Sequence, residues 1–145
     1  MHNKYYLKPG YVFFSSQGHI IETILGSCIS VSLWDKKNKM GVMTHYIYAS
    51  YREEERKAYT GKIALPFALN IMTRKGSKVE DLIAYVAGGG ENPKLSDKVS
   101  KDNVSYALEF LKEKNIKIEI IDVGKQDSRK AIFNSETGEF IVKHL

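Results

Sequence analysis

Cysteine occurs once in this chain, at Cys28, so no internal disulfide can form. No apolar run approaches the ~20 residues that a membrane-spanning helix needs. The opening residues, MHNKYYLKPG, lack the apolar core of a secretory signal. A lone thiol with no such signal fits a reducing, cytoplasmic setting. Histidines are few and scattered, and no His/Cys pair has metal-ligand spacing, so no structural zinc and no cofactor is expected. Prolines number three, and there is no repeat, low-complexity tract or linker. The 145 residues therefore suit one domain spanning 1–145, with one sizeable core.

The formal charge of +5 mildly favours acidic partners. Its lysines are spread along the chain and fit a solvated surface. Neither a base-reading motif nor a helix-turn-helix pattern suggests nucleic acid.

YVFFS (11–15), HIIETIL (19–25), CISVSLWD (28–35) and GVMTHYIY (41–48) read as strands, rich in aromatic and β-branched residues. The third alternates, with Ile29, Val31 and Leu33 on one face and Cys28, Ser30, Ser32 and Trp34 on the other. The polar KKNKM between the last two predicts a hairpin. ASYREEERKAYTG (49–61) has no clear period and is expected to be a mobile loop. Leu65, Ala68, Leu69 and Met72 predict a helix over 62–74, with Pro66 in its first turn or bending it.

DLIAYVAGGG (81–90) is a strand running into three glycines, which suit a tight turn beside a site, and ENPKLSDKVS (91–100) is a polar loop. Asp102 can cap a helix running to about Asn115. IKIEIIDVG (116–124) is a strand, and KAIFN and EFIVKHL around SETG make a terminal hairpin. This order predicts an α/β sandwich with a mixed sheet and two main helices.

Cys28 is either a buried small hydrophobe or a nucleophile. A nucleophile needs a base, and His45 on the second hairpin strand is the candidate. If Ser30 faces His45, then Cys28 and His45 share a sheet face as diagonal neighbours, about 7–8 Å apart. A slip of one residue sets His45 opposite Val31, on the other face. Gly26 could let the N–H groups around Ser27 and Cys28 point at a developing oxyanion. His45 could equally be a satisfied interior histidine. His2 and His144 are expected to be solvated, and His19 has no obvious partner.

LGSCISVSLWD, GVMTHYIYAS, AYVAGGG and DVGKQDSRKAIFNSETGEFIVKHL resemble, in order and spacing, the CheD family of chemotaxis proteins. The resemblance spans about residues 10–145. Its most specific part is LGSC with a histidine seventeen positions later. It implies a chemoreceptor glutamine deamidase, with a fold similar to the catalytic domain of the cytotoxic necrotizing factor toxins. It also implies Cys28 as nucleophile and His45 as base, with a third, threonine, residue.

The family's threonine tends to sit six positions before the cysteine, where this chain has Glu22. Thr23 is the nearest candidate, and Ser27 and Thr44 are alternatives for orienting the imidazole. Two further departures are Lys125 after Gly124, where the family often has a second glycine, and the REEERK loop. Implied partners are the cytoplasmic helical domain of a chemoreceptor and possibly the CheC phosphatase. The alternative to catalysis is a regulatory binding module for those two partners. Another cysteine-acyl enzyme, transferring to an amine instead of water, would use the same dyad.

Overall fold

Nine strands and two helices form in the computed structural model, which describes residues 3–50, 60–92 and 98–145. The strands are β1 (Asn3–Tyr6), β2 (Val12–Ser15), β3 (His19–Leu25), β4 (Ile29–Asp35), β5 (Met40–Thr44), β6 (Leu82–Gly88), β7 (Lys117–Val123), β8 (Arg129–Asn134) and β9 (Phe140–His144). The helices are α1 (Gly61–Arg74) and α2 (Lys98–Glu113). One sheet runs β1-β3-β8-β9 and the other β2-β5-β4-β6-β7. Each is mixed, since β1 pairs β3 in parallel and β6 pairs β7 in parallel while the other pairings are antiparallel. The expected α/β sandwich with two helices is the architecture found.

The alternation in β4 builds the layers. Ile29, Val31 and Leu33 pack on Ala64, Leu65, Ala68 and Met72 of α1 and on Ala107 and Leu111 of α2. Trp34, on the opposite parity, packs among Leu25, Phe133 and Phe140 of the other sheet, and Cys28 adds to the same cluster. The five-stranded sheet thus lies between the helices and the four-stranded sheet, buried on both faces. Each fully buried Leu, Ile or Val in these two cores contributes roughly 1.5–3 kcal/mol.

The hairpin register is the one that pairs Ser32 with Met43 and Leu33 with Val42. The isolated bridge Ile29↔Tyr46 keeps the same offset. Ser30 therefore stands opposite His45, and Cys28 opposite Ile47. Asp35 closes the other end of the hairpin, accepting from the Asn38 N–H, the Asn38 amide and the Ser77 hydroxyl.

Several sequence expectations change. Helix α2 starts at Lys98, so Asp102 lies inside it rather than capping it, and residues 98–100 are not loop. The buried positions of its first turns are Ser100 and Asn103, polar residues that an apolar-stripe reading passes over. Pro66 lies beyond the first turn of α1, on its exposed side. The strand expected over 41–48 ends at Thr44, and β1 was not anticipated because its side chains are all exposed. His2, most of the loop expected over 49–61 and part of that over 91–100 lie outside the described residues.

Candidate active site

Three chain segments meet at the entry to β4. The Gly26 carbonyl accepts from the Gly90 N–H at 2.8 Å, and the Cys28 carbonyl from the Gly89 N–H at 2.8 Å. The Ser27 carbonyl accepts from the side-chain amide of Asn103, on α2, at 3.1 Å. Three successive carbonyls are thus held. The N–H groups of Ser27 and Cys28 bond no carbonyl among the described residues. An oxyanion would need donors of this kind, in peptides fixed by their neighbours and not spent on backbone carbonyls.

The three glycines make the close approach possible. Gly88 (φ 113°) and Gly89 (φ 66°) have backbone angles that side chains disfavour, and a Cβ on Gly88 would lie 2.2 Å from the Cys28 carbonyl oxygen. The tight turn expected there does not form; Gly89 and Gly90 run on past β6 beside residues 26–28.

His45 is placed by a break in the ladder. At the neighbouring position the Thr44 hydroxyl, not its main chain, bonds β4. It accepts from the Val31 N–H at 3.1 Å and donates to the Val31 carbonyl at 3.0 Å. On its other side the backbone of His45 is tied to the chain before β2, through Tyr11 and Gly10. The ring reaches across to the other sheet, where its Nδ1 lies 2.6 Å from the Thr23 hydroxyl oxygen. Thr23 also donates to the Leu7 carbonyl at 2.7 Å.

A hydroxyl has one proton, and Leu7 takes it. Thr23 must therefore accept from Nδ1–H, which leaves the lone pair of His45 on Nε2. That nitrogen is buried and has no hydrogen-bond partner among the described residues.

The expected site residues thus sort themselves. Thr23 touches the imidazole. Thr44 spends its hydroxyl on Val31, Ser27 turns its carbonyl to Asn103, and Glu22 pairs with Lys130. Cys28 is half-buried and packs against the inter-sheet cluster, and its sulfur makes no hydrogen bond with His45 Nε2.

Burial sets the protonation states. It pushes the Cys28 thiol up, against a smaller opposing effect of its own backbone N–H. It drops the His45 imidazole to about 4. With the thiol raised and the imidazole lowered, each group is neutral at pH 7. Among the described residues no charged neighbour offsets the loss of water at either one.

Beside the Ser27 turn opens a cleft of about 590 Å³, lined by Gly26, Ser27, Ile47, Tyr48, Glu91 and Asp127 among others. Its far wall, the loop 124–128, is held from beneath by Arg129. This side chain is fully buried. It donates to the Asp122 carbonyl and carboxylate at 2.8 and 2.7 Å, to the Asp127 carbonyl at 3.0 Å and to the Gly124 carbonyl.

His144 is exposed as expected, and it also bridges the carboxylates of Asp122 and Asp127, at 2.9 and 3.0 Å. His19, for which no partner was foreseen, meets the Ser15 hydroxyl at 2.6 Å. Sequence reasoning missed Asn103 and the Leu7 carbonyl, and gave Arg129 no task. The signal for Arg129 was a cation five residues after an Asp-Val-Gly strand end. For the other two there was none. Among the described residues no His/Cys/Asp/Glu group could hold a metal ion, and no helix is long and apolar enough to cross a membrane.

Residues 48–144 match the family described as CheD chemotactic sensory transduction. The chain is similar to the probable chemoreceptor glutamine deamidase CheD 1 of Anaeromyxobacter dehalogenans. The two are 32% identical over 97% of this chain and 84% of that protein. The probable chemoreceptor glutamine deamidase CheD of Trichlorobacter lovleyi is 32% identical over 93% of this chain and 86% of its own. That of Sulfurimonas denitrificans is 28% identical over 99% and 96%. The family match begins after His45. The alignment with the Anaeromyxobacter protein is long enough to take in Cys28 and His45.

Proposed function

The chain belongs to the CheD family, and we propose that it is a chemoreceptor glutamine deamidase using Cys28 as nucleophile, His45 as base and Thr23 to orient His45. One observation carries the reading of the site. The only proton of the Thr23 hydroxyl goes to Leu7, which leaves the basic lone pair of His45 on Nε2, buried and uncommitted among the described residues. An adaptor has no chemical need for that arrangement.

The chemistry runs from neutral partners. Nε2 takes the Sγ proton as the sulfur attacks the side-chain carboxamide carbon of a glutamine. The N–H groups of Ser27 and Cys28 receive the oxyanion. The imidazolium, steadied by Thr23 at Nδ1, gives its proton to the leaving ammonia, and the C–N bond breaks to a thioester. Water, deprotonated by Nε2, attacks the thioester. The sulfur leaves and is reprotonated, and the product is glutamate. The raised thiol pKa makes this a general-base reaction, with the proton moving as substrate closes the site.

The substrate partner is the helical cytoplasmic part of a chemoreceptor, met in the cytoplasm by a single domain spanning 1–145. A fold similar to that of the cytotoxic necrotizing factor catalytic domain belongs to the same reading. Each conversion adds one negative charge to the receptor bundle, enough to bias a two-state signalling element.

The test is Cys28→Ala and His45→Ala. Each is expected to fold and to release no ammonia from a recombinant chemoreceptor cytoplasmic fragment, with wild type giving the mass gain of an amide-to-acid exchange. Retained turnover in Cys28→Ala would remove the reading. Full complementation of a deletion strain by folded Cys28→Ala would favour the binding role instead, with the CheC phosphatase as the partner to try.

A further inference from the structure

We infer that Asn103 is a positioning residue that aims the Cys28 N–H into the oxyanion site by holding the other edge of the same peptide unit. The inference rests on the deamidase reading above. Asn103 lies on α2, in the helix layer, and is fully buried. Its Nδ2 donates to the Ser27 carbonyl at 3.1 Å and to the Ile47 carbonyl at 2.8 Å. Ile47 is the residue opposite Cys28 across the hairpin, so one amide ties together both chains that flank the thiol.

The geometry of the peptide bond does the rest. The described chain contains no cis peptide bonds. In a trans peptide the C=O and the following N–H point in opposite directions within one plane. Fixing the Ser27 carbonyl on Asn103 therefore fixes the Cys28 N–H away from α2. Gly90 and Gly89 hold the carbonyls on either side of this one. Without Asn103 the Ser27–Cys28 peptide would be the single unit of the three with neither edge held.

The amide is used in a costly way. Both partners are carbonyls, so the nitrogen must face them, and its two protons are both committed. The Oδ1 is then left buried without a partner. Asparagine is also indifferent as a residue inside a helix. The backbone of α2 at this position is used too, since the Tyr46 hydroxyl donates to the Asn103 carbonyl at 2.5 Å and locks the helix to the segment after His45. An orphaned acceptor in the helix layer is what remains when a side chain is kept for its two donors.

The test separates a reaction that develops an oxyanion from one that does not. Asn103→Leu and Asn103→Asp remove the donors at similar size, and Asn103→Ser is a milder variant that keeps one. Folding is checked by circular dichroism. Each protein is assayed for ammonia release from a recombinant chemoreceptor cytoplasmic fragment and for alkylation of Cys28 by iodoacetamide, a displacement at saturated carbon. Loss of one oxyanion donor predicts a kcat about 100-fold lower in the Leu and Asp variants, with KM within about threefold and alkylation within about fivefold of wild type. The Ser variant is expected to fall between.

A kcat within about threefold of wild type in any folded variant that lacks both donors would overturn the inference, as would equal losses in the two reactions, which would mark a collapsed site. If the Leu and Asp variants do not fold, the Ser variant decides by the same comparison. Wild type failing to release ammonia would remove the deamidase reading and this inference with it. Active wild type beside equally active variants would remove this inference alone.

Discussion

Thr23 lies on β3 of one sheet and His45 just beyond the end of β5 of the other, and the Thr23 hydroxyl accepts from the His45 Nδ1–H at 2.6 Å across the gap between them. The consequence is a chosen tautomer. Replacing Thr23 by valine removes the acceptor and leaves both Nδ1 and the Leu7 carbonyl unpaired in the interior. The expected cost is about 1–3 kcal/mol of stability, with kcat lower by about tenfold to a hundredfold, because the ring can then carry its proton on either nitrogen. Thr23→Ser should restore most of both. Steady-state kinetics beside urea unfolding checks this, and a fully active valine variant would show that the tautomer does not need fixing.

The buried imidazole predicts an acid limb in both stability and rate. The folded protein holds His45 neutral down to about pH 4, whereas the unfolded chain protonates it near the ordinary value of 6.5. The unfolded state therefore binds more protons in that window, so stability falls as pH drops from 6.5 through about 4, by up to about 3 kcal/mol. His45→Gln should lack this component. In wild type, kcat/KM for deamidation should fall only as pH approaches 4. An acid limb near 6.5 would mean that the ring is solvated.

The thiol should be sluggish in the resting protein. Burial raises the Cys28 pKa above its ordinary value of 9.0, so iodoacetamide alkylation of free protein should climb only in the alkaline range. A step well below that value would reveal a thiolate–imidazolium pair already formed and would shift the mechanism from general-base to ion-pair chemistry.

Gly88→Ala probes the end of β6 that supports Cys28. The added methyl would lie 2.2 Å from the Cys28 carbonyl oxygen, at a φ of 113°. The expected loss is at least about 1–3 kcal/mol, together with most of the activity, since the peptides carrying the donors must move. Thermal unfolding and ammonia release measure the two effects. A stable, active alanine variant would show that this strand end tolerates rearrangement.

Arg129→Met tests the floor of the cleft. Four acceptors lose their donor, on Asp122, Gly124 and Asp127. Stability should drop by about 1–3 kcal/mol and KM should rise as the wall at 126–128 loosens, with kcat much less affected. A change confined to kcat would place Arg129 closer to the chemistry than its geometry implies.

Much of this site was readable beforehand because strand alternation has a fixed period. Cys28, Ser30, Ser32 and Trp34 had to share a face, and the structure keeps Trp34 and Cys28 on the inter-sheet side. The register was open, since sliding a hairpin by one residue leaves composition unchanged; the pairing of Ser32 with Met43 resolves it. The choice among Thr23, Ser27 and Thr44 could not be made from spacing. It depends on which hydroxyl the fold carries to the imidazole: Thr23 lies 2.6 Å from Nδ1, while Thr44 both accepts from and donates to Val31. Asn103 was hidden for the opposite reason. It is a polar residue on a buried helix stripe, where sequence reading looks for apolar ones and shortens the helix when it meets none.

The division of the site between two sheets has a bearing on biosynthesis. Cys28 and the base sit on one layer and the hydroxyl that sets the base sits on the other. A nascent or half-assembled chain therefore carries an ordinary, unaided thiol. On the deamidase reading, competence toward an amide is expected to arrive only when the layers dock.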